Sequence, residues 1–547
     1  MNKRTLLALL LIFIVFYLSS KFLWKTPPKQ PEQAIQTARK EIKPESRETK
    51  EKVSETQEYP FGGRSEENLS EVSLGKGAEL NENIVLENDV VKIIFTNKGG
   101  NIKQIYLQKI MMGKDNKMPV KLLPSEKDFL NITLNIDSES INLSNYNLEY
   151  SQSDWEVEFF IEQDSKKILK KKFTLENNYN LTMNLFVEDF GLIESYDLEI
   201  DAGVYYDQKG DKRFKNYIKA VSQINNNIEK VSLKNAEKGE KLFGNVSWTV
   251  LKSKYFMLVT IPHSRVKLRE LSIFASNNEI KEIAKVEVSR LKIEHDYDFY
   301  FGPVDYDNLR AFNIGLENSM DFGMKIIRPI SKLILQLLKF LYKIIPNYGI
   351  AIIIMSIIIK ILFYPLTHKG MRSTHKMQEI QPLIKETQKR YKNNPQKAQK
   401  EIMALYKEHG VSPLGGCLPL LLQMPVFFAL YPVLQSTIAL RHANFILWIK
   451  DLSVPDPYYI LPIIMGISMF LQQKLMSPKP TPNMDEKQLA QIKTQKMMMY
   501  GMPIFLVFIF KSLPAGLVLY WLSYNILSIG EQILIRKGGI RKAESGM

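Results

Sequence analysis

Hydrophobic residues change their spacing several times along the chain, and each change predicts a different element. An unbroken apolar run from Leu6 to Leu18 follows Lys3 and Arg4 and is closed by Lys21, Trp24 and Lys25. The stretch Tyr17-Leu18-Ser19-Ser20-Lys21-Phe22 offers no small-x-small cleavage site, so residues 1–25 are expected to stay as a membrane anchor. Residues 26–83 are rich in Pro, Glu, Lys, Gln and Ser and predict a flexible linker. The period then becomes two. Val91, Ile93 and Phe95 alternate with polar neighbours ahead of Asn97-Lys98-Gly99-Gly100, and Leu130/Ile132/Leu134/Ile136 and Leu181/Met183/Leu185/Val187 repeat the pattern. Short alternating strands separated by turn residues predict a β-sandwich over 84–320.

Beyond that domain the spacing is helical. Ile326, Ile327, Ile330, Leu333, Ile334, Leu337, Leu338 and Leu341 share a face, and Arg328, Lys332, Lys339 and Lys343 punctuate it. Four cations in so short a stretch predict an amphipathic helix lying in the membrane interface over 321–346 rather than a span. Apolar spans follow at 347–368, 414–440, 457–474, 497–511 and 512–535. With the anchor they make six, five of them forming a core bundle. Those at 457–474 and 497–511 are short for a hydrocarbon core about 30 Å thick, and short spans thin the bilayer locally. Between the first two of the five, Met377, Ile380, Ile384 and Tyr391 keep helical spacing, Asn393-Asn394-Pro395 breaks it, and Ile402, Leu405 and Tyr406 resume it up to Gly410. This predicts a helical hairpin over 369–413, read either as a solvated loop that sets topology or as a docking surface. Its basic outer face includes Arg372, Lys376, Lys385, Lys389 and Arg390.

Charge orients the chain. The 547 residues carry 73 Lys+Arg against 58 Asp+Glu, a net +15. From Met324 onward the count is 28 against 10, while the first 323 residues hold 45 against 48. The basic surplus therefore lies among the apolar spans, which favours a membrane and gives no reason to expect a DNA partner. The 369–413 segment and the 536–547 tail are basic, whereas the 441–456 loop balances Arg441 and Lys450 with Asp451 and Asp456. By the positive-inside rule both termini, the hairpin and the 475–496 loop are cytoplasmic, and the β domain and the 441–456 loop are outside. A single cysteine and six histidines exclude a disulfide framework and a cysteine-rich zinc site.

Candidate chemistry sits inside the spans. A charge there costs about 2.5–3.5 kcal/mol on insertion scales and marks a bundle interior or wet cavity. Lys360 is that residue: its distance from the span end at His368, roughly 12 Å at about 1.5 Å per residue, exceeds what a lysine stem covers by snorkelling. Ser356 and Thr367 extend a polar face on the same helix. On the last span Tyr520, Tyr524 and Glu531 form one stripe and Trp521, Asn525, Ser528 and Gln532 a second beside it, with Glu531 expected at the interface. Gln423 adds an amide to the span before Met424-Pro425. These residues predict a polar groove with one fixed cation and no obvious buried counter-ion. Gly466-Ile467-Ser468-Met469 has a superficial likeness to a serine-protease turn, but no histidine lies within a span to serve as base, and no Walker A, HExxH or GxGxxG element occurs. No enzyme activity, cofactor or metal is expected. His263 and His295 have no ligand or dyad spacing and are read as structural. Two functions remain: a groove that lowers the cost of taking a polar stretch of polypeptide into the membrane, or a transporter or ligand sensor using Lys360 as an anion site.

A set of motifs bears on that choice. Lys360-Ile361-Leu362-Phe363-Tyr364-Pro365-Leu366-Thr367, Met403-Ala404-Leu405-Tyr406-Lys407, Pro413-Leu414-Gly415-Gly416-Cys417 with Pro419 and Gln423-Met424-Pro425, Leu447-Trp448-Ile449 with Asp451-Leu452-Ser453, Asp456-Pro457-Tyr458-Tyr459-Ile460-Leu461-Pro462, and Pro514-Ala515-Gly516-Leu517-Val518-Leu519-Tyr520 resemble the YidC family of membrane protein insertases in order and spacing. The resemblance implies the Gram-negative bacterial form: a polytopic α-helical inner-membrane protein with an all-β periplasmic supersandwich similar to sugar-mutarotase folds but without their activity. It further implies an insertase and chaperone for nascent membrane proteins, acting alone or with the Sec translocon. Membrane lipids surround it, and the hairpin receives the ribosome and signal-recognition targeting factors. By the same resemblance Ser356, Lys360, Gln423, Phe427, Tyr520 and Trp521 line the substrate groove, which Asn525 extends. Where the family usually carries arginine, this chain has Lys360, which keeps the charge but not the bidentate fork.

Overall fold

A computed structural model describes residues 79–113, 118–124, 128–137, 139–201, 203–205, 214–411, 418–476 and 486–544. The expected anchor, all but the end of the expected linker, the motif at 413–417, much of the 475–496 loop and the last tail residues lie outside them. All contacts given below fall within the unit formed by Ser73–Lys479 and Met499–Met547.

Strands β1 (Ile84–Glu87), β2 (Val91–Thr96), β3 (Asn101–Met111) and β4 (Pro119–Lys121) pair in that order as an antiparallel sheet. The strands that follow make a second sheet, thirteen-stranded among the described residues. They are β5 (Asn131–Ile136), β6 (Glu139–Asn142), β7 (Glu149–Gln152), β8 (Glu156–Gln163), β9 (Lys166–Leu175) and β10 (Asn180–Asp201). The chain continues through β11 (Lys219–Ile224), β12 (Asn227–Ser232), β13 (Glu240–Phe243), β14 (Val246–Lys252), β15 (Phe256–Pro262), β16 (Leu268–Ser276) and β17 (Glu279–Pro303). Its spine is the antiparallel pair β10 and β17, in register from Asn180↔Tyr300 to Asp201↔Lys281 with irregularities near Ile193. The alternating apolar residues face one shared core: Val91, Ile93 and Phe95 from the first sheet pack with Ile132, Leu134, Leu181, Met183 and Leu185 from the second. Phe95 reaches across to Phe159 and Phe173, with ring centroids 6.0 and 5.0 Å away.

The core also holds a lysine. Lys171 on β9 is fully buried, and its ammonium donates to the carbonyls of Gly99 (3.2 Å) and Leu130 (2.6 Å) and to Asn101 Oδ1 (2.9 Å). Gly99 and Leu130 both have positive φ, 65° and 63°, the conformation that turns those carbonyls out of the ladders; a leucine there is strained. Burial pulls Lys171 down to about 7, opposed by Asp128. His295 is buried against Tyr196, whose hydroxyl also meets Tyr297 at 2.6 Å, and His263 pairs with Asp298 at the surface. Glu282 on β17 is buried, accepts from Thr249 Oγ1 at 2.9 Å, and is pushed up to about 7 by desolvation.

After a short helix α1 (Leu233–Ala236) between strands and α2 (Tyr306–Ala311), capped by the Asp305 carboxylate, the chain is helical. Helix α3 (Arg328–Ile344) buries Ile334, Leu335, Leu338 and Leu341 against α4 (Tyr348–Glu379) and α7 (Leu418–Ser436). The single apolar face expected from the sequence is present: Ile330, Leu333 and Phe340 are exposed along one edge of it, while Arg328, Lys332, Lys339 and Lys343 lie on the opposite side of the helix. Its Lys339 ties it back to Asp305 and Asp307 at 2.9 and 2.7 Å.

Helix α4 runs past the end of its apolar stretch into the hairpin, whose arms are α5 (Gln381–Arg390) and α6 (Pro395–Glu408). Asn394 caps α6 by accepting from Lys397 N, with Pro395 in the first turn, and Ile380, Ile384 and Val411 form a small core with Met377, Ile402 and Tyr406. Helices α8 (Ile460–Met476), α9 (Glu486–Phe510) and α10 (Ala515–Glu544) complete the described chain. Among the described residues one stretch, Tyr348–Ser373, is long and apolar enough by itself to cross a membrane; Ile460–Leu475 and Met499–Phe510 are shorter apolar helices. Close packing uses glycine. A Cβ on Gly349 would lie 2.0 Å from the Phe445 ring, and one on Gly466 would lie 2.5 Å from Val507 Cγ2. Gly466 is thus a helix-packing position, not part of a catalytic turn.

Candidate functional site

The helices wear their polarity on the inside. On α4, Ile357, Ile361 and Leu362 are exposed while Ser356, Lys360 and Thr367 are buried; on α10, Ile526, Ile533 and Leu534 are exposed while Tyr520, Asn525, Ser528 and Glu531 are buried. Helix α8 repeats this with Ile463, Ile467 and Leu471 outside and Ser468 inside. Water would reverse that order; a hydrocarbon surround favours it.

Helix α10 packs on α4, α7 and α8 and carries one side of three polar contacts with them. Lys360 Nζ lies 2.7 Å from Glu531 Oε2, donates to Ser528 Oγ at 2.9 Å, and sits 4.7 Å from the centre of the Tyr524 ring. Thr367 Oγ1, whose hydroxyl donates to the Tyr364 carbonyl at 3.2 Å, lies 3.4 Å from Glu531 Oε1, and His368 Nδ1 stands 4.0 Å from the same carboxylate oxygen. A second node joins α7, where Gln423 Nε2 donates to the Tyr520 hydroxyl at 3.1 Å. Beside it Trp521 meets Phe427 edge-on at 5.3 Å and Phe510 at 5.1 Å. A third joins α8, where Asn525 Nδ2 donates to Ser468 Oγ at 3.3 Å.

The structure thus joins Lys360 to α10, Gln423 to Tyr520, and Phe427 to Trp521. Ser356 stands apart: it is buried one turn from Lys360, but its hydroxyl donates to the Ile353 carbonyl of its own helix. Two expectations change. The cation has a buried counter-ion, and that counter-ion is Glu531, whose side chain is buried between helices. The stripe spacing from Tyr520 to Glu531 already put the carboxylate on the inward face; its burial depended on α10 continuing as helix beyond the apolar run. Ser468, passed over in the sequence because it belongs to a rejected protease motif, is the partner of Asn525. In the hairpin Arg372, Lys389 and Arg390 are exposed and Lys376 and Lys385 half-buried, with Arg390 paired to Glu386 at 3.0 Å. No cluster of His, Cys, Asp or Glu suited to a metal ion occurs among the described residues.

Relatives match both parts of the chain. A profile of the YidC periplasmic domain matches residues 83–337, and one of the 60Kd inner membrane protein family matches 340–543. The membrane protein insertase YidC of Geotalea daltonii is 34% identical over 98% of this chain and 99% of its own length, and that of Syntrophus aciditrophicus 33% identical over 98% and 100%. The Geobacter metallireducens protein of the same name is 48% identical over 44% of this chain and 42% of its own. With its β-rich domain and its helical C-terminal region each matched, the chain belongs to the YidC family of membrane protein insertases, inner-membrane proteins with a periplasmic domain.

Proposed function

We propose that this protein is a non-enzymatic insertase and chaperone that takes nascent membrane proteins into the inner membrane along the seam between α4, α7, α8 and α10. The observation that carries the reading is the inversion of polarity: hydrogen-bonding side chains are gathered between helices whose outer faces are apolar. Partition of the client's apolar span into lipid drives insertion, since each leucine or isoleucine contributes about 0.3–0.6 kcal/mol at mid-membrane. The obstacle is the polar flank that must cross ahead of it. Gln423, Tyr520, Asn525 and Ser528 exchange their contacts with one another for contacts with that flank, replacing water at little net loss of hydrogen bonds. Phe427 and Trp521 offer an apolar wall for the emerging span. In this reading the chain has six spans and both termini in the cytoplasm, the seam's His368 end and the basic hairpin face arriving ribosomes and signal-recognition targeting factors, and the protein works alone or beside the Sec translocon.

Purified protein in liposomes tests this against the transporter reading. Insertion of a small single-span client, protected from external protease and dependent on the protein, is expected. Solute flux in the absence of any nascent chain, with no client inserted, overturns it.

A further inference from the structure

Building on the groove reading above, we infer that Glu531 is a specificity-determining residue: it occupies Lys360 as an acidic client would, and so makes the groove indifferent to client charge. Three observations carry this. The two charged side chains meet at 2.7 Å, with 8% and 6% of their surfaces exposed. They come from different helices, α4 and α10, so their contact closes the seam at that level rather than bracing one helix. Glu531 is also set among alternatives, since the Thr367 hydroxyl, now bonded to the Tyr364 carbonyl, lies 3.4 Å from its other oxygen and His368 Nδ1 4.0 Å, so the carboxylate has somewhere to go when it leaves the ammonium.

The consequence follows from exchange. A bare buried ammonium would bind a client carboxylate strongly and release it slowly, because removing one member of a buried ion pair leaves the other uncompensated. With Glu531 in place, a client carboxylate entering the seam replaces another carboxylate, and the charge count around Lys360 is restored when the client leaves. A client without acidic residues leaves the pair intact and uses the Gln423, Tyr520 and Asn525 positions. Neutrality at rest thus admits both kinds of client and traps neither.

The test uses the full-length protein in liposomes and two versions of one single-span client, with aspartates or asparagines in the translocated flank. The ratio of protease-protected acidic to neutral client is taken within each variant, so losses common to both clients cancel. Wild type is expected to give a ratio near unity. Glu531→Gln, which leaves an unbalanced cation, raises it about fivefold, the factor that ~1 kcal/mol of removed competition gives. Lys360→Met, which leaves an unbalanced carboxylate, lowers it below wild type. The two variants are independent, so either one that folds decides the matter. A ratio that stays at the wild-type value in a folded variant, while the wild type inserts both clients, overturns the role of Glu531 and leaves the insertase reading standing. Insertion of neither client by the wild type overturns both.

Discussion

Of the buried lysines, Lys171 in the β domain and Lys360 in the helical part are held by opposite means. Lys171 in the β core is surrounded by neutral oxygens, two of them backbone carbonyls; Lys360 in the helical bundle faces a carboxylate. The difference comes from the backbone. Strand ends and turns leave carbonyls outside the ladder, and the positive φ of Gly99 and Leu130 aims two of them inward. In a helix interior each carbonyl already accepts from its own chain four residues on, and what it has left is taken up locally, as when Ser356 donates to the Ile353 carbonyl. A cation between helices must therefore be met by side chains. Neutral backbone oxygens make Lys171 a fixed tie. An ionisable side chain makes Lys360 exchangeable, which is what a transit path requires.

The comparison breaks first at Lys360. Lys360→Leu should destabilise the protein by ~3–5 kcal/mol, because Glu531 is left buried and unpaired, whereas Lys360→Leu/Glu531→Leu should recover most of the loss. Thermal unfolding in detergent reads both; a single variant as stable as the double shows that Glu531 finds water. For Lys171→Met the expected loss is smaller, ~2 kcal/mol, from oxygens left without a donor. The unfolded chain holds the Lys171 proton to its ordinary 10.5 and the folded domain only to about 7, so between these values the unfolded state binds more protons and wild-type stability rises with pH. That rise should weaken in Lys171→Met, and an identical pH profile contradicts the assignment.

Glu282 sharpens the contrast from the acid side. Its proton leaves the unfolded chain near 4.5 but is kept to about 7 on folding, so its contribution falls as pH rises through that window. Glu282→Gln keeps an acceptor for Thr249 and should raise neutral-pH stability by ~1 kcal/mol while flattening the 4.5–7 limb. The smallest effect belongs to the hairpin. Replacing the exposed Lys389 and Arg390 by alanine should change stability by less than ~0.5 kcal/mol, as expected for solvated charges, yet reduce ribosome co-sedimentation. Unchanged co-sedimentation leaves the hairpin as a topological loop.

Much of this was legible in the sequence, and the reasons for the rest are physical. Alternation marked the strands because one face of each packs on the shared core, as Leu181, Met183, Leu185 and Val187 do. Lys171 was invisible: in Lys166–Leu175 it is one lysine among several, and only its carbonyl cage distinguishes it. In the bundle Lys360 stood out because little else is charged there. Its partner Glu531 was seen but assigned to an interface, since hydropathy fades at that point although the helix does not. Partners from distant helices, such as Asn525 with Ser468, depend on crossings that no local spacing encodes.

A photo-crosslinker scanned along α4 and α10, with a nascent single-span client stalled during synthesis, tests the central claim most directly. Adducts are expected at the inward positions Ser356, Tyr520 and Asn525, and at Gln423 on α7, with none at the outward Ile361, Leu362 and Ile526. Adducts confined to the outward positions, or absent throughout with folded protein present, contradict it.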